Sequence, residues 1–87
     1  MKSNENKSKA QIVSDKILAK IIKDVKFIFK ENGGISPRDE KIIKENFMIK
    51  QPSWSSLGDG VKNILSIVTP IAINTYQNEL IEAMDEE

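Results

Sequence analysis

Between residues 10 and 31 apolar side chains recur at intervals of three and four. Ile17, Leu18, Ile21, Ile22, Val25, Ile28 and Phe29 fall on one arc of a wheel turned 100° per residue, which predicts an amphipathic helix. The opposite arc gathers Lys9, Lys16, Lys20, Lys23 and Lys30, with Lys26 at its edge and Asp15 and Asp24 flanking the stripe. The helix therefore carries a basic ridge toward solvent. Asn32, Gly33 and Gly34 mark its end, because glycine enters the left-handed conformation at no Cβ cost. Lys26 and Lys30 suit the negative end of its dipole.

A second helix is expected over residues 36–49. Ser36 is a natural N-cap, Pro37 suits the first helical position, and Asp39 and Glu40 place negative charge near the positive helix end. Ile42, Ile43 and Phe47, extended by Met48 or Ile49, form a narrow apolar stripe, and Pro52 sets the limit. Glu40 with Lys44, and Lys41 with Glu45, are opposite charges four residues apart.

Residues 52–60 hold the single tryptophan, three serines and two glycines, which is loop chemistry, and Ser56 with Asp59 resembles a capping box. Trp54 reads as a lid on the core, with an exposed binding anchor as the competing reading. From Leu57 onward Val61, Ile64, Leu65, Val68, Ile71 and Ala72 share a helical face. The phase then changes: Thr75, Glu79 and Glu82 occupy the continuing face, while Tyr76, Leu80 and Met84 lie about 100° around it. Proline inside a helix removes a hydrogen bond and clashes with the preceding turn, so a kink or break is expected at Pro70. Ile67 and Ile73 fall outside the stripe, leaving this segment apolar around most of its circumference. Either it is the central core helix wrapped by the first two segments, or it offers a surface to a partner or a second copy.

Charge sharpens the picture because it is sorted. Residues 1–50 carry twelve Lys or Arg against seven Asp or Glu, whereas residues 51–87 carry Lys62 against six acids, and the whole is neutral. Exposed charges are screened within about 10 Å at moderate salt, so the sorting bears on orientation and partner choice more than on stability. The lysine ridge reads first as a solvated face. A phosphate-tracking role lacks the Arg, Asn, Gln or aromatic groups that read or stack on bases, and a membrane-surface role would pull the apolar arc out of the core. The five acids of residues 79–87 serve solubility, pair with the lysine ridge if the last helix runs antiparallel to the first, or dock a basic partner.

Chemistry is scarce. With no cysteine and no histidine there is no disulfide framework, no thiolate, and neither the commonest zinc ligand nor the usual base near neutral pH. Asp59 and Gly60 lack the alternate oxygen ligands of a calcium loop, Gly33 and Gly34 lack the length of a phosphate loop, and the carboxylates lie on polar faces. Helix-turn-helix recognition is disfavoured by a long connection and by Lys62 as the only cation of the would-be reading helix. Residues 1–9 do not lead into an apolar signal core, and the apolar stretch 61–73 is interrupted by Lys62, Asn63, Ser66 and Pro70, so neither export nor a membrane span is expected. Twelve lysines to one arginine, with abundant isoleucine and asparagine, are what AT-rich codons of a low-GC bacterium or phage supply.

The sequence thus predicts an all-α bundle of three to four helices, with a polar tail at 1–9, a single helical domain at 10–84 and an acidic tail at 85–87. It predicts a cytoplasmic, non-enzymatic interaction module without cofactor, metal or small-molecule substrate. A protein partner or a second copy would meet Trp54, Ile67, Ile71, Ile73 and Tyr76. The alternative is a nucleic-acid-binding regulator using Lys16, Lys20, Lys23 and Lys30.

Overall fold

Ser8 opens the first helix, its Oγ accepting from the Gln11 amide at 3.1 Å. Helix α1 then runs Lys9–Ile28 in a computed structural model that describes residues 8–47 and 54–85. Its apolar stripe buries Val13, Ile17, Ile21, Ile22 and Val25, and Ile17, Ile21 and Val25 are fully enclosed. The helix ends three residues before the expected Glu31, and a 3-10 turn at Lys30–Asn32 follows. Gly33 at φ 90° and Gly34 at φ 76° then reverse the chain, and the Gly34 amide donates to the Phe29 carbonyl at 2.8 Å. At the end of the stripe Phe29 packs against the core while Ile28 is 43% exposed, and Phe27, on the lysine side of the helix, is 75% exposed.

Helix α2 spans Pro37–Glu45, capped by the Ser36 hydroxyl accepting from the Asp39 amide at 3.1 Å. It closes at Asn46, whose Nδ2 donates to the Ile42 carbonyl at 3.0 Å, and the expected continuation to Met48 and Ile49 lies outside the described residues. Ile43 is its fully buried anchor. Glu40 meets Lys44 at 3.0 Å and Lys26 of α1 at 3.1 Å, fastening α2 to α1. Hydrogen bonds from Lys44 and then Lys26 hold the Glu40 carboxyl below its ordinary value of 4.5. A depressed carboxylate contributes stability above its unfolded value and loses it as pH falls through the folded one. Thermal melts between about pH 6 and 3 should therefore show a midpoint falling below pH 4.5, with Glu40→Gln flattening part of that slope.

Trp54 closes the open side of α2. Its indole N–H donates to the Ile43 carbonyl at 3.2 Å, and its ring stacks on Phe47 with centroids 6.2 Å apart. One turn later Leu57 is buried, its amide bonded to the Trp54 carbonyl.

Helix α3 spans Asp59–Thr75 with Gly58 at the cap, so the Ser56 box is not used and Asp59 alone supplies charge to the first turn. Pro70 lies inside this helix, so of the kink or break expected there the break is not found; the chain breaks at Tyr76, ahead of α4 at Gln77–Asp85. Pro70 faces solvent, so the Ser66 carbonyl that loses its helical donor sits where water reaches it. The phase change is made instead by Thr75, whose Oγ1 donates back to the Ile71 carbonyl at 2.8 Å, and by Tyr76, whose amide is shared between Ala72 and Ile73. The Thr69 hydroxyl is buried without a hydrogen-bond partner among the described residues.

The result is an all-α bundle of four helices among the described residues. Helix α1 packs against α2, α3 and α4, and α3 also touches α4. The centre is thus α1, not the 61–73 segment: α3 lies to one side, burying Leu65, Val68, Thr69 and Ala72, packing Val61, Ile64 and Ile73 at the core's edge and turning Asn63, Ile67, Ile71 and Asn74 outward. Helix α4 returns along α1, placing Ala83 in the core and Glu79 against Lys16 at 2.8 Å.

Candidate interaction surface

Two of the five apolar residues singled out from the sequence stand together on the surface. Ile67 is 57% exposed and Ile71 52%, one helical turn apart on the outer face of α3. Ile73 and Tyr76 are half-buried and pack against the core, and Trp54 is half-buried under its hydrogen bond to Ile43. They support the bundle's edge instead of extending the exposed stripe.

Residues beyond that set complete the face. Asn63 and Asn74 are exposed, and with Ile67 and Ile71 they fall within about 80° of one another on the helix. Exposed Ser66 and Pro70 border them. The sequence signal for this face is an absence: residues 63–78 contain no Asp, Glu, Lys or Arg, sixteen positions in a chain that is 30% charged. Charged side chains are depleted at the centres of protein interfaces, where desolvating them costs free energy.

Ser66 and Pro70 also form one wall of a groove of about 420 Å³, closed by Trp54, Leu65 and Thr69 and approached by Lys62. Its lining is mainly apolar, and Lys62 is engaged with Asp59 at 3.7 Å. Stripe and groove are continuous across Ser66 and Pro70, so an incoming side chain could enter the groove while its backbone lies along Ile67 and Ile71.

The lysine ridge is less open than its wheel implies. Lys16, Lys20 and Lys23 line a shallow groove beside Thr75 and Tyr76, but Asp24 shares it and pairs with Lys20 at 3.2 Å. Lys16 is held by Glu79, whose hydrogen bond raises the Lys16 pKa above its ordinary 10.5. Lys30 belongs to the 3-10 turn, past the end of α1. One acid of α4, Glu79, therefore meets the ridge within the chain, as an antiparallel last helix allows.

Among the described residues no group of three His, Cys, Asp or Glu side chains converges to hold a metal ion, and no helix is long and apolar enough to cross a membrane. Comparison with known protein families, with characterised proteins and with solved structures finds no match.

Proposed function

We propose that this chain is a non-enzymatic protein-interaction module, an adaptor, regulator or inhibitor of the cytoplasm, that docks another polypeptide on the outer face of α3. The observation that carries this reading is the charge-free helix face on which Ile67 and Ile71 stand more than half exposed. Single exposed isoleucines are ordinary, but an apolar pair one turn apart on a face without charge is where desolvation is cheapest. The absence of histidine and cysteine from the chain agrees with a role in binding rather than chemistry.

Chemical crosslinking of the tagged chain in a cell extract, with light scattering on the purified protein, tests it. The wild type is expected to form a discrete adduct that the double variant Ile67→Glu, Ile71→Glu does not. A chain that stays strictly monomeric and captures nothing would contradict the proposal.

Nucleic-acid binding through Lys16, Lys20, Lys23 and Lys30 is the weaker reading, since Glu79 and Asp24 already engage two of these cations. Phosphate contacts reveal themselves by a log-log salt slope of about 0.9 per contact. We expect no binding at about 50 mM salt that changing the four lysines to Gln abolishes.

A further inference from the structure

We infer that the partner on the outer face of α3 is a second copy of this chain, packed antiparallel about a two-fold axis between Ile67 and Ile71. This rests on the docking role proposed above and names its occupant. The face reads nearly the same in both directions: Asn63, Ile67, Ile71 and Asn74 are spaced by four, four and three residues, amide at each end and isoleucine in the middle. A two-fold contact is self-complementary, so that when residue i meets j, j meets i. Antiparallel pairing sets Ile67 on Ile71 of the partner subunit and Asn63 near Asn74 of the partner subunit. Each carboxamide both donates and accepts, so two can satisfy one another. Ser66 and Pro70 alongside are short enough for the helices to approach closely.

Charge separates this face from the other exposed apolar spots. Phe27 and Ile28 stand among Lys23, Asp24, Lys26, Lys30 and Glu31, while Ile81 and Met84 stand among Glu79, Glu82 and Asp85. Two-fold pairing at either place would desolvate charged side chains, and on α4 it would bring like charges together. The α3 face carries charge only at its start, where Asp59 pairs with Lys62 at 3.7 Å, and antiparallel pairing sets the two copies of Asp59 at opposite ends of the contact. Helices this short bury less than the roughly 1,200–2,000 Å² of a tight complex, so the dimer is weak and concentration dependent.

Sedimentation equilibrium of the full chain from about 10 to 500 µM reads this directly. The wild type is expected to pass from monomer to dimer with little change between about 50 and 500 mM salt. Ile67→Glu and Ile71→Lys should each weaken association about tenfold or more, with circular dichroism unchanged. An equimolar mixture of the two variants should associate again: antiparallel pairing sets the introduced carboxylate on the introduced ammonium and keeps the remaining isoleucine pair, whereas parallel pairing does neither. A monomer at every concentration, a dimer that survives both substitutions, or variants that the mixture does not rescue would overturn the inference. So would association abolished by salt, which would indicate head-to-tail contact between the basic end of α1 and acidic α4. A monomer that still crosslinks another protein through α3 would remove the second copy alone and leave the docking role standing.

Discussion

Ile21→Ala is expected to lower the unfolding free energy by about 3 kcal/mol, since emptying a sealed isoleucine site costs roughly 2–5 kcal/mol in lost transfer energy and cavity. Ile21 has no exposed surface and lies midway along α1, the helix to which every other element is fastened, so no neighbouring layer can collapse into the space. Small domains hold about 5 kcal/mol or little more, and one kcal/mol moves the melting temperature of such a domain by about 4–8 °C. The thermal midpoint should therefore fall by about 12–24 °C. Ile67→Ala is the matched control: the same side chain is removed where it is 57% exposed, and stability should change by no more than about 0.5 kcal/mol. Equal losses at the two positions would contradict both the central place of α1 and the outward aspect of α3.

Pro70→Ala is expected to act in the opposite direction, raising stability by about 2 kcal/mol. Proline in a helix interior costs about 3 kcal/mol through its missing donor and its clash with the preceding turn. Its rigidity in the unfolded chain returns about 0.4–1 kcal/mol, which alanine forfeits. Pro70 sits twelve residues into α3, where alanine restores an N–H facing the Ser66 carbonyl. The sign is the test. Were Pro70 the first residue of a new helix, its missing donor would cost nothing and alanine would be neutral or destabilising. A thermal midpoint raised by about 8–16 °C supports a helix continuous through Pro70, and a lowered one supports a break there.

How much of this was legible in the sequence depended on the range of the forces involved. The stripe of α1, the Ser36–Pro37 start of α2 and the Gly33–Gly34 reversal were readable because each is decided within one helical turn. The break at Tyr76 was not. Proline marks a lost hydrogen bond, but the site of the bend is set by the Thr75 back-bond and by the docking of α4 on α1 through Ala83 and the Lys16–Glu79 pair. The start of α3 at Asp59 similarly follows the burial of Leu57, which holds Ser56 outside the helix.

The candidate surface was half legible for the same reason. Periodicity shows that Ile67 and Ile73 lie off the main stripe, yet not which of them a neighbour covers. That depended on α1 taking the centre, which leaves Ile73 packed against the core and Ile67 outside. Asn63 and Asn74 carry no hydrophobic signal. Only the run of sixteen uncharged residues points to them, and it becomes a face once the helix is known to continue through Pro70.

Everything functional follows from α3 presenting its outer face to another polypeptide, and site-specific photocrosslinking reads that contact at single residues. A photoreactive side chain would replace Ile71 in one sample and Ile81 of α4 in another, positions exposed to similar extents at 52% and 49%. Irradiated as purified protein and in cell extract, the chain is predicted to give a discrete adduct from position 71, with itself or with another protein, and none of comparable yield from position 81. No adduct from position 71, or equal yields from both, would contradict the account.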